Sequence, residues 1–267
     1  MVSDERVRRS SKAFKSHLFP EALPNRCLFN LGEGLLVASP ELCFFQLASE
    51  LSFAKLVQLG YELCGTYSLP MRDDYAKQGV ESIEDAAYNH SPLTTKKRLS
   101  AFVAQMSGRH GYKRASRALT YVIEASGSPM ETNLAILLTL PSSQGGYGLP
   151  LPEMNKRVET KKSVKKNMNK NYYKCDLSWS NANVVAEYDS TQYHNSSDKI
   201  GEDSIRRTDL ALNGVEVISV TNRQINSTVE FEKIARQIAA RMQKRLQQRS
   251  RKFISKRSEL RRQLLGT

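Results

Sequence analysis

The stretch Tyr173-Lys174-Cys175-Asp176-Leu177-Ser178-Trp179 alternates apolar and polar side chains, and this alternation sets the expected fold of the second half of the chain. A period of two predicts a β-strand with one buried face. Residues 180–183 are typical of a turn, and residues 184–189 indicate a second strand. With Asn181 and Ala182 at the turn centre, the pattern predicts a hairpin with one uniformly apolar side. On that side Cys175 would face Tyr188.

The polar side of the predicted hairpin carries two carboxylates, because the same register sets Asp176 opposite Glu187. It also sets Lys174 opposite Asp189. Like charges that face each other across a strand pair are destabilising, and a Mg²⁺ ion, which prefers hard oxygen ligands, would compensate. The alternative is a solvated sheet edge whose acidic residues only keep the chain soluble.

The composition is strongly basic. The chain has 267 residues, with 40 Lys and Arg against 27 Asp and Glu, which gives a formal net charge of +13. This excess indicates a polyanionic partner, with nucleic acid the first expectation and an anionic membrane surface the second. No stretch approaches the roughly 18 apolar residues that a membrane-spanning helix needs, so we expect a cytoplasmic protein with no membrane partner. The cysteines form no CxxC pair, and the histidines are too scattered for an HExxH-type metal site.

Three Ser-Pro pairs, at residues 39–40, 91–92 and 128–129, each predict the start of a helix, since serine favours the N-cap and proline the first helical position. The spacing of apolar residues predicts a mainly helical N-terminal domain over residues 1–127. Two of its helices carry basic side chains that would either contact nucleic-acid phosphates or form a solvated face. These side chains belong to Lys96, Lys97, Arg98, Arg109, Lys113, Arg114 and Arg117.

The second half of the chain is expected to add further elements around the hairpin. They are a loop over residues 142–152, a basic run over 156–170, a helix over 197–213 and a buried strand over 215–221. A capping box, Ser227 with Glu230, then predicts the start of a basic helix that runs to Leu265. This helix is either a nucleic-acid arm or a membrane-surface helix.

The order of helix, hairpin, helix, strand and helix over residues 128–245 resembles the PD-(D/E)XK nuclease superfamily, and more closely its very-short-patch-repair type of endonuclease domain. The residues that carry the resemblance are Ser128-Pro129-Met130-Glu131, Asp176-Leu177-Ser178-Trp179, Glu187-Tyr188-Asp189-Ser190, His194, Asp203, Arg206-Arg207, Gly214 and Val217-Ile218-Ser219-Val220-Thr221. Residues 246–267 would be a basic C-terminal helix extension. Residues 37–40 and 47–48 resemble abortive-infection antitoxin-like modules.

The resemblance implies an α/β (α+β) fold of restriction-endonuclease type, with a mixed central sheet flanked by helices behind the N-terminal helical domain. It implies a metal-dependent endonuclease that hydrolyses phosphodiester bonds, with double-stranded DNA the expected substrate and Mg²⁺ or Mn²⁺ the cofactor. Asp176 and Glu187 would bind the metal, and Glu131 would complete the acidic site. Ser128 and Glu131 equally fit a capping box, which needs no active site.

Asp189 departs from the family pattern, which has lysine at that position. An aspartate there can bind metal but supplies no positive charge, so Lys174 or Arg206 is expected to supply it. His194 would activate water or protonate the leaving oxygen, or is a loop residue bonded to backbone. Because the motif lysine is missing, the alternative function is a catalytically inactive DNA-binding regulator or antitoxin-like protein that keeps the nuclease fold.

Overall fold

A computed structural model describes residues 23–33, 35–68, 88–159, 172–189, 197–246 and 250–266, without the side chains of residues 197–200 and 202. His194 and residues 160–170 of the predicted basic run lie outside the described residues. The described chain combines helices with a mixed four-stranded sheet and a separate two-stranded sheet. The predicted mixed α/β class with a mixed sheet is therefore confirmed.

The N-terminal part is mainly helical, as predicted. Its elements are β1 (Leu28–Asn30), β2 (Leu36–Ala38), α1 (Pro40–Leu47), α2 (Phe53–Leu63), α3 (Lys96–Gln105) and α4 (Tyr112–Leu119). Ser39 caps α1 as expected, with its side chain accepting from the N–H of Leu42. The Ser-Pro pair at residues 91–92 begins no helix, and that prediction is wrong. Thr94 instead donates to the buried Glu41 carboxylate, and α3 begins after the N-cap Thr95.

The C-terminal part contains the central sheet. Its elements are α5 (Pro129–Thr139), β3 (Glu153–Glu159), β4 (Tyr172–Trp179), β5 (Val184–Asp189), α6 (Ser197–Leu212), β6 (Glu216–Thr221), α7 (Asn222–Asn226), α8 (Thr228–Arg241) and α9 (Arg251–Leu265). The strand order is β3-β4-β5-β6. The pairs β3/β4 and β4/β5 are antiparallel, whereas α6 connects β5 to the parallel strand β6. The sequence did not predict β3, because its mostly charged and polar residues lack a clear apolar period.

The hairpin of β4 and β5 has the predicted register next to its turn, where Leu177 pairs with Ala186. Cys175, however, does not share a face with Leu177. It packs with Val185 of β5 and Leu210 of α6, whereas Leu177 lies in the main core. The predicted alternation is wrong here because the β3/β4 ladder skips one position, at which Asp176 lies opposite Asn155. Asn155 has a positive φ of 50°.

One hydrophobic core runs through both parts of the described chain. It includes Leu56 of α2, Leu134 of α5 and Ile218 of β6. Helix α9 joins the same core through Leu260 and Leu264. The predicted boundaries at residues 127/128 and 245/246 therefore coincide with no break in this core.

The predicted single basic helix from residue 228 to Leu265 is wrong, because two helices form. Helix α8 ends at Arg241, shortly before Gln243, whose φ of 52° is left-handed and incompatible with a continuous helix. Helix α9 then begins after its own N-cap, Ser250, whose side chain accepts from the N–H of Phe253. Among the described helices, none is both long and apolar enough to cross a membrane.

The Gly60→Ala substitution is expected to destabilise the protein by about 2 kcal/mol, because small-to-large changes in a packed core force neighbours to move. Gly60 lies inside α2, and an added Cβ would clash with Cγ2 of Val122. The matched control is Gly201→Ala in α6, where an added Cβ meets nothing within 4 Å. Urea unfolding should show a loss for Gly60→Ala and a small gain for Gly201→Ala. Equal effects would contradict the packing of α2.

Candidate functional site

A crevice of about 190 Å³ lies beside β5, between its polar side chains and α6. Strand β4 contributes Asp176, and β6 contributes Ser219. The remaining lining residues are Glu187, Tyr188 and Asp189 of β5 and Asp203, Arg206 and Arg207 of α6. Because β5 and β6 are parallel and α6 connects them, these side chains gather toward the carboxyl end of β5, where α/β sheets commonly bind ligands.

Asp176 bonds to the neighbouring strand through its side chain. Its Oδ2 accepts from the N–H of Tyr188 at 2.9 Å, and the β4/β5 ladder ends one step earlier, at Leu177 and Ala186. Asp176 and Glu187 therefore line one crevice, but the predicted ladder pair between them does not form. Burial raises the pKa of Asp176 to about 7, and the negative charges of Glu131 and Glu187 add to the rise.

Glu187 is paired with Arg206. One guanidinium nitrogen of Arg206 donates both to Oε1 of Glu187 and to the carbonyl oxygen of Lys174, which fixes the arginine across the end of the crevice. Burial nevertheless raises the pKa of Glu187, outweighing the opposite effect of Arg206. The Nε of Arg206 is buried and has no hydrogen-bond partner within the described part of the chain. Arg206 thus lines the crevice, and its cationic role toward a phosphate stays a prediction.

Arg207 and Ser219 lie on the α6 and β6 sides of the crevice. An Nη of Arg207 donates to Oγ of Ser219 at 2.9 Å. Asp203 lines the same crevice, so the i,i+4 residues Asp203 and Arg207 both face it. Ser219 belongs to the segment 217–221 that carries the resemblance but was not predicted as a site residue, although its hydroxyl between apolar neighbours in β6 was an available signal. The crevice consequently presents two guanidinium groups beside its carboxylates.

Glu131 acts at the start of α5, next to Asp176. Ser128 caps this helix by accepting from the N–H of Glu131 at 3.2 Å. Oε2 of Glu131 accepts from the N–H of Gly127 at 2.9 Å and from Nδ2 of Asn155 at 2.7 Å. The capping role is confirmed in part, since the carboxylate bonds to Gly127 rather than to the N-cap residue. Glu131 affects the site through its negative charge, which raises the pKa of Asp176.

Lys174 does not reach the crevice. It is exposed and pairs with Arg157 of β3, and among the residues of this strand only Asp176 lines the site. The predicted position of its ammonium opposite Asp189 is wrong, because the β4/β5 ladder has already ended at Leu177. Asp189 itself does line the crevice at the end of β5. His194 lies outside the described residues.

Asp176 and Glu187 carry the type of donor atom that Mg²⁺ prefers. Both are hard oxygen donors, and burial is the main cause that raises the pKa of each carboxyl group. Within the described ranges, no three His, Cys, Asp or Glu side chains are grouped so that they could hold a metal ion by themselves. Mg²⁺ is commonly bound by one or two carboxylates together with substrate phosphates and waters, so two carboxylates suffice for such a site.

In metal-free buffer, wild type is expected to lose stability relative to Asp176→Asn as pH rises. The unperturbed pKa is 3.8 and the folded-state pKa is about 7, so between these values only the unfolded state has released the proton, and rising pH favours unfolding. The upper limit of this loss is about 4 kcal/mol, since one pKa unit corresponds to about 1.4 kcal/mol. Urea unfolding of both proteins from about pH 4 to about pH 8 measures it. A stability difference independent of pH would contradict the raised pKa.

Comparison of the chain with protein-family models, with curated proteins and with solved structures finds no match. The function has to be inferred from the crevice itself.

Proposed function

We propose that this protein is a Mg²⁺-dependent endonuclease that hydrolyses phosphodiester bonds of DNA. The observation that carries the proposal is the crevice itself, in which the half-buried Asp176, with its pKa raised to about 7, and Glu187 lie beside two arginines. A carboxylate with a strongly raised pKa in a crevice is a candidate for a functional site. On this proposal, the mixed sheet with its flanking helices α5 and α6 is a fold of restriction-endonuclease type.

Four side chains of the crevice have roles in such a reaction. Asp176 and Glu187 would hold the cation, whose chemistry is to neutralise phosphate charge and to favour attack by water. Arg206 and Arg207 would bind the phosphate oxygens on which negative charge develops, as guanidinium groups do well. Two arginines from α6 thus replace the lysine that the family pattern has at the position of Asp189.

The charge of the whole chain supports a nucleic-acid substrate. A formal net charge of +13 favours association with a polyanion and attracts it over distances longer than a contact. Double-stranded DNA is the proposed substrate.

Incubation of the purified protein with supercoiled plasmid tests this proposal. We expect nicked and linear products with Mg²⁺ or Mn²⁺ and none with EDTA, because the carboxylates need a cation to act on a phosphate. Plasmid that stays supercoiled in both metals, under conditions in which a gel-shift experiment shows binding, would contradict the endonuclease and support the alternative.

The alternative is a DNA-binding protein without cleavage. It is favoured by the ion pair between Arg206 and Glu187, which occupies one of the two carboxylates. In that case Arg206 would serve to neutralise Glu187, and binding would not depend on a divalent cation.

A further inference from the structure

A second cavity, separate from the crevice, lies between α2, α4 and α9. Its volume is about 570 Å³, and it shares no lining residue with the crevice. Four cationic side chains line it, three from α4 and one from α9, and they face one carboxylate, Glu259. The cations are Lys113, Arg114, Arg117 and Lys256. The cavity therefore carries a clear excess of positive charge.

The single carboxylate is already engaged with one of these cations. Nζ of Lys256 lies 2.7 Å from Oε2 of Glu259. The two arginines are held by groups without formal charge: Arg114 donates to the carbonyl oxygen of Leu51, and the Arg117 guanidinium lies 4.3 Å from the ring centroid of Phe53. The Nε of Arg114 is buried and lacks a hydrogen-bond partner among the described residues. These contacts orient the arginines without an ion pair to either of them among the described residues.

The neutral groups of the cavity also suit an anion. Ser52 is the N-cap of α2, and Phe53 and Ala54 in the first turn of that helix line the cavity. Helix N-termini present N–H groups and a partial positive charge. The Ser52 hydroxyl donates to Oε1 of Gln263 at 2.6 Å, which joins the start of α2 to α9. Three helices distant in sequence thus converge on one positively charged cavity.

We propose that this cavity is a binding site for phosphate esters. Several hundred Å³ is typical of ligand pockets and exceeds what one inorganic phosphate needs, so the volume suits a nucleotide or two successive phosphates of a strand. Arginine and lysine together with a helix N-terminus are the groups by which proteins recognise phosphate. The site is independent of the proposed endonuclease activity, because it uses none of the crevice residues. The phosphate belongs either to a free nucleotide or to a nucleic-acid backbone.

Binding measurements in EDTA separate this proposal from cleavage. Isothermal titration calorimetry with inorganic pyrophosphate and with adenosine monophosphate tests the free ligands, and fluorescence anisotropy with a labelled DNA duplex tests the backbone. The variant is Lys113→Ala/Arg117→Ala, which spares Arg114 and its bond to Leu51. Lys256→Gln is a second variant on a different helix. The charge-matched control, Arg251→Ala/Lys252→Ala, removes two exposed cations of α9 that do not line the cavity.

Both cavity variants are expected to weaken binding of at least one probe, the double variant by about tenfold, with a smaller change in the control. Weaker binding of pyrophosphate or the mononucleotide would identify a free nucleotide as the ligand. A loss of affinity confined to the DNA duplex would identify the nucleic-acid backbone as the ligand. The proposal is overturned if no probe binds the wild type, or if the cavity variants and the control variant lose affinity equally for every probe. Thermal unfolding of each variant shows whether a loss follows from misfolding, and Lys256→Gln then decides the outcome.

Discussion

The Asp176→Asn variant is expected to cleave DNA at least about a thousandfold more slowly than wild type, because a metal ion contributes several kcal/mol to stabilising the transition state. Asparagine retains an oxygen that accepts from the N–H of Tyr188, so the contact between β4 and β5 can persist. The substitution removes the charge that would hold the cation. Initial rates of plasmid nicking with Mg²⁺ measure the effect.

The control for this variant is Glu230→Gln, which removes a half-buried carboxylate of α8 that does not line the crevice. Its rate should equal that of wild type. If Asp176→Asn retained a rate within about tenfold of wild type, the assignment of Asp176 to the metal would be wrong. A variant that loses cleavage yet gains stability at alkaline pH would show that this buried charge serves function at the expense of the fold.

The Arg206→Met variant is expected to lose about 3 kcal/mol of unfolding free energy at alkaline pH, because it leaves the largely buried Glu187 carboxylate without its partner. The side chain of Glu187 is 15% exposed and that of Arg206 is 28% exposed, so water replaces the lost pair only in part. Urea unfolding measures the loss. The double variant Glu187→Gln/Arg206→Met should recover most of it, since both charges are then absent.

The control for this ion pair is Lys233→Met, which breaks an i,i+3 pair with Glu230 on the surface of α8. Exposed pairs of this kind contribute little, so a change below about 0.5 kcal/mol is expected. If Arg206→Met were as mild as Lys233→Met, Arg206 would not be needed to neutralise Glu187. Its guanidinium would then be available to a phosphate at little cost to stability.

The register of the hairpin was predictable near its turn, but the predicted alternation was wrong further along β4. Alternation sets the register at Leu177 and Ala186 because both residues bury on the same side. The break at Asp176 depends on Asn155 in β3, a strand that local patterns did not predict. Because the break depends on a residue of the partner strand, no pattern within β4 could indicate that Cys175 turns to the other face.

The sequence predicted that cationic side chains belong to the site, but it predicted the positions of these side chains only in part. Arg206 reaches Glu187 as expected of a residue on the helix after β5, whereas Lys174 would need a longer β4/β5 ladder than forms. The segment of α9 was predicted to be part of a basic helix that is either a nucleic-acid arm or a membrane-surface helix, because its few apolar residues are surrounded by basic ones. Leu260 and Leu264 are spaced i,i+4, and only the tertiary fold shows that they pack into the core.

Titration with Mn²⁺, followed by electron paramagnetic resonance of the free ion, tests most directly whether the crevice holds a divalent cation. Wild type is expected to bind Mn²⁺ at alkaline pH, where Asp176 is ionised, and to release it to competing Mg²⁺. The variant Asp176→Asn/Glu187→Gln is expected to bind none at this site, while Glu230→Gln binds as wild type does. A wild-type protein that leaves all Mn²⁺ free, or a double variant that binds it equally well, would contradict a metal site in the crevice.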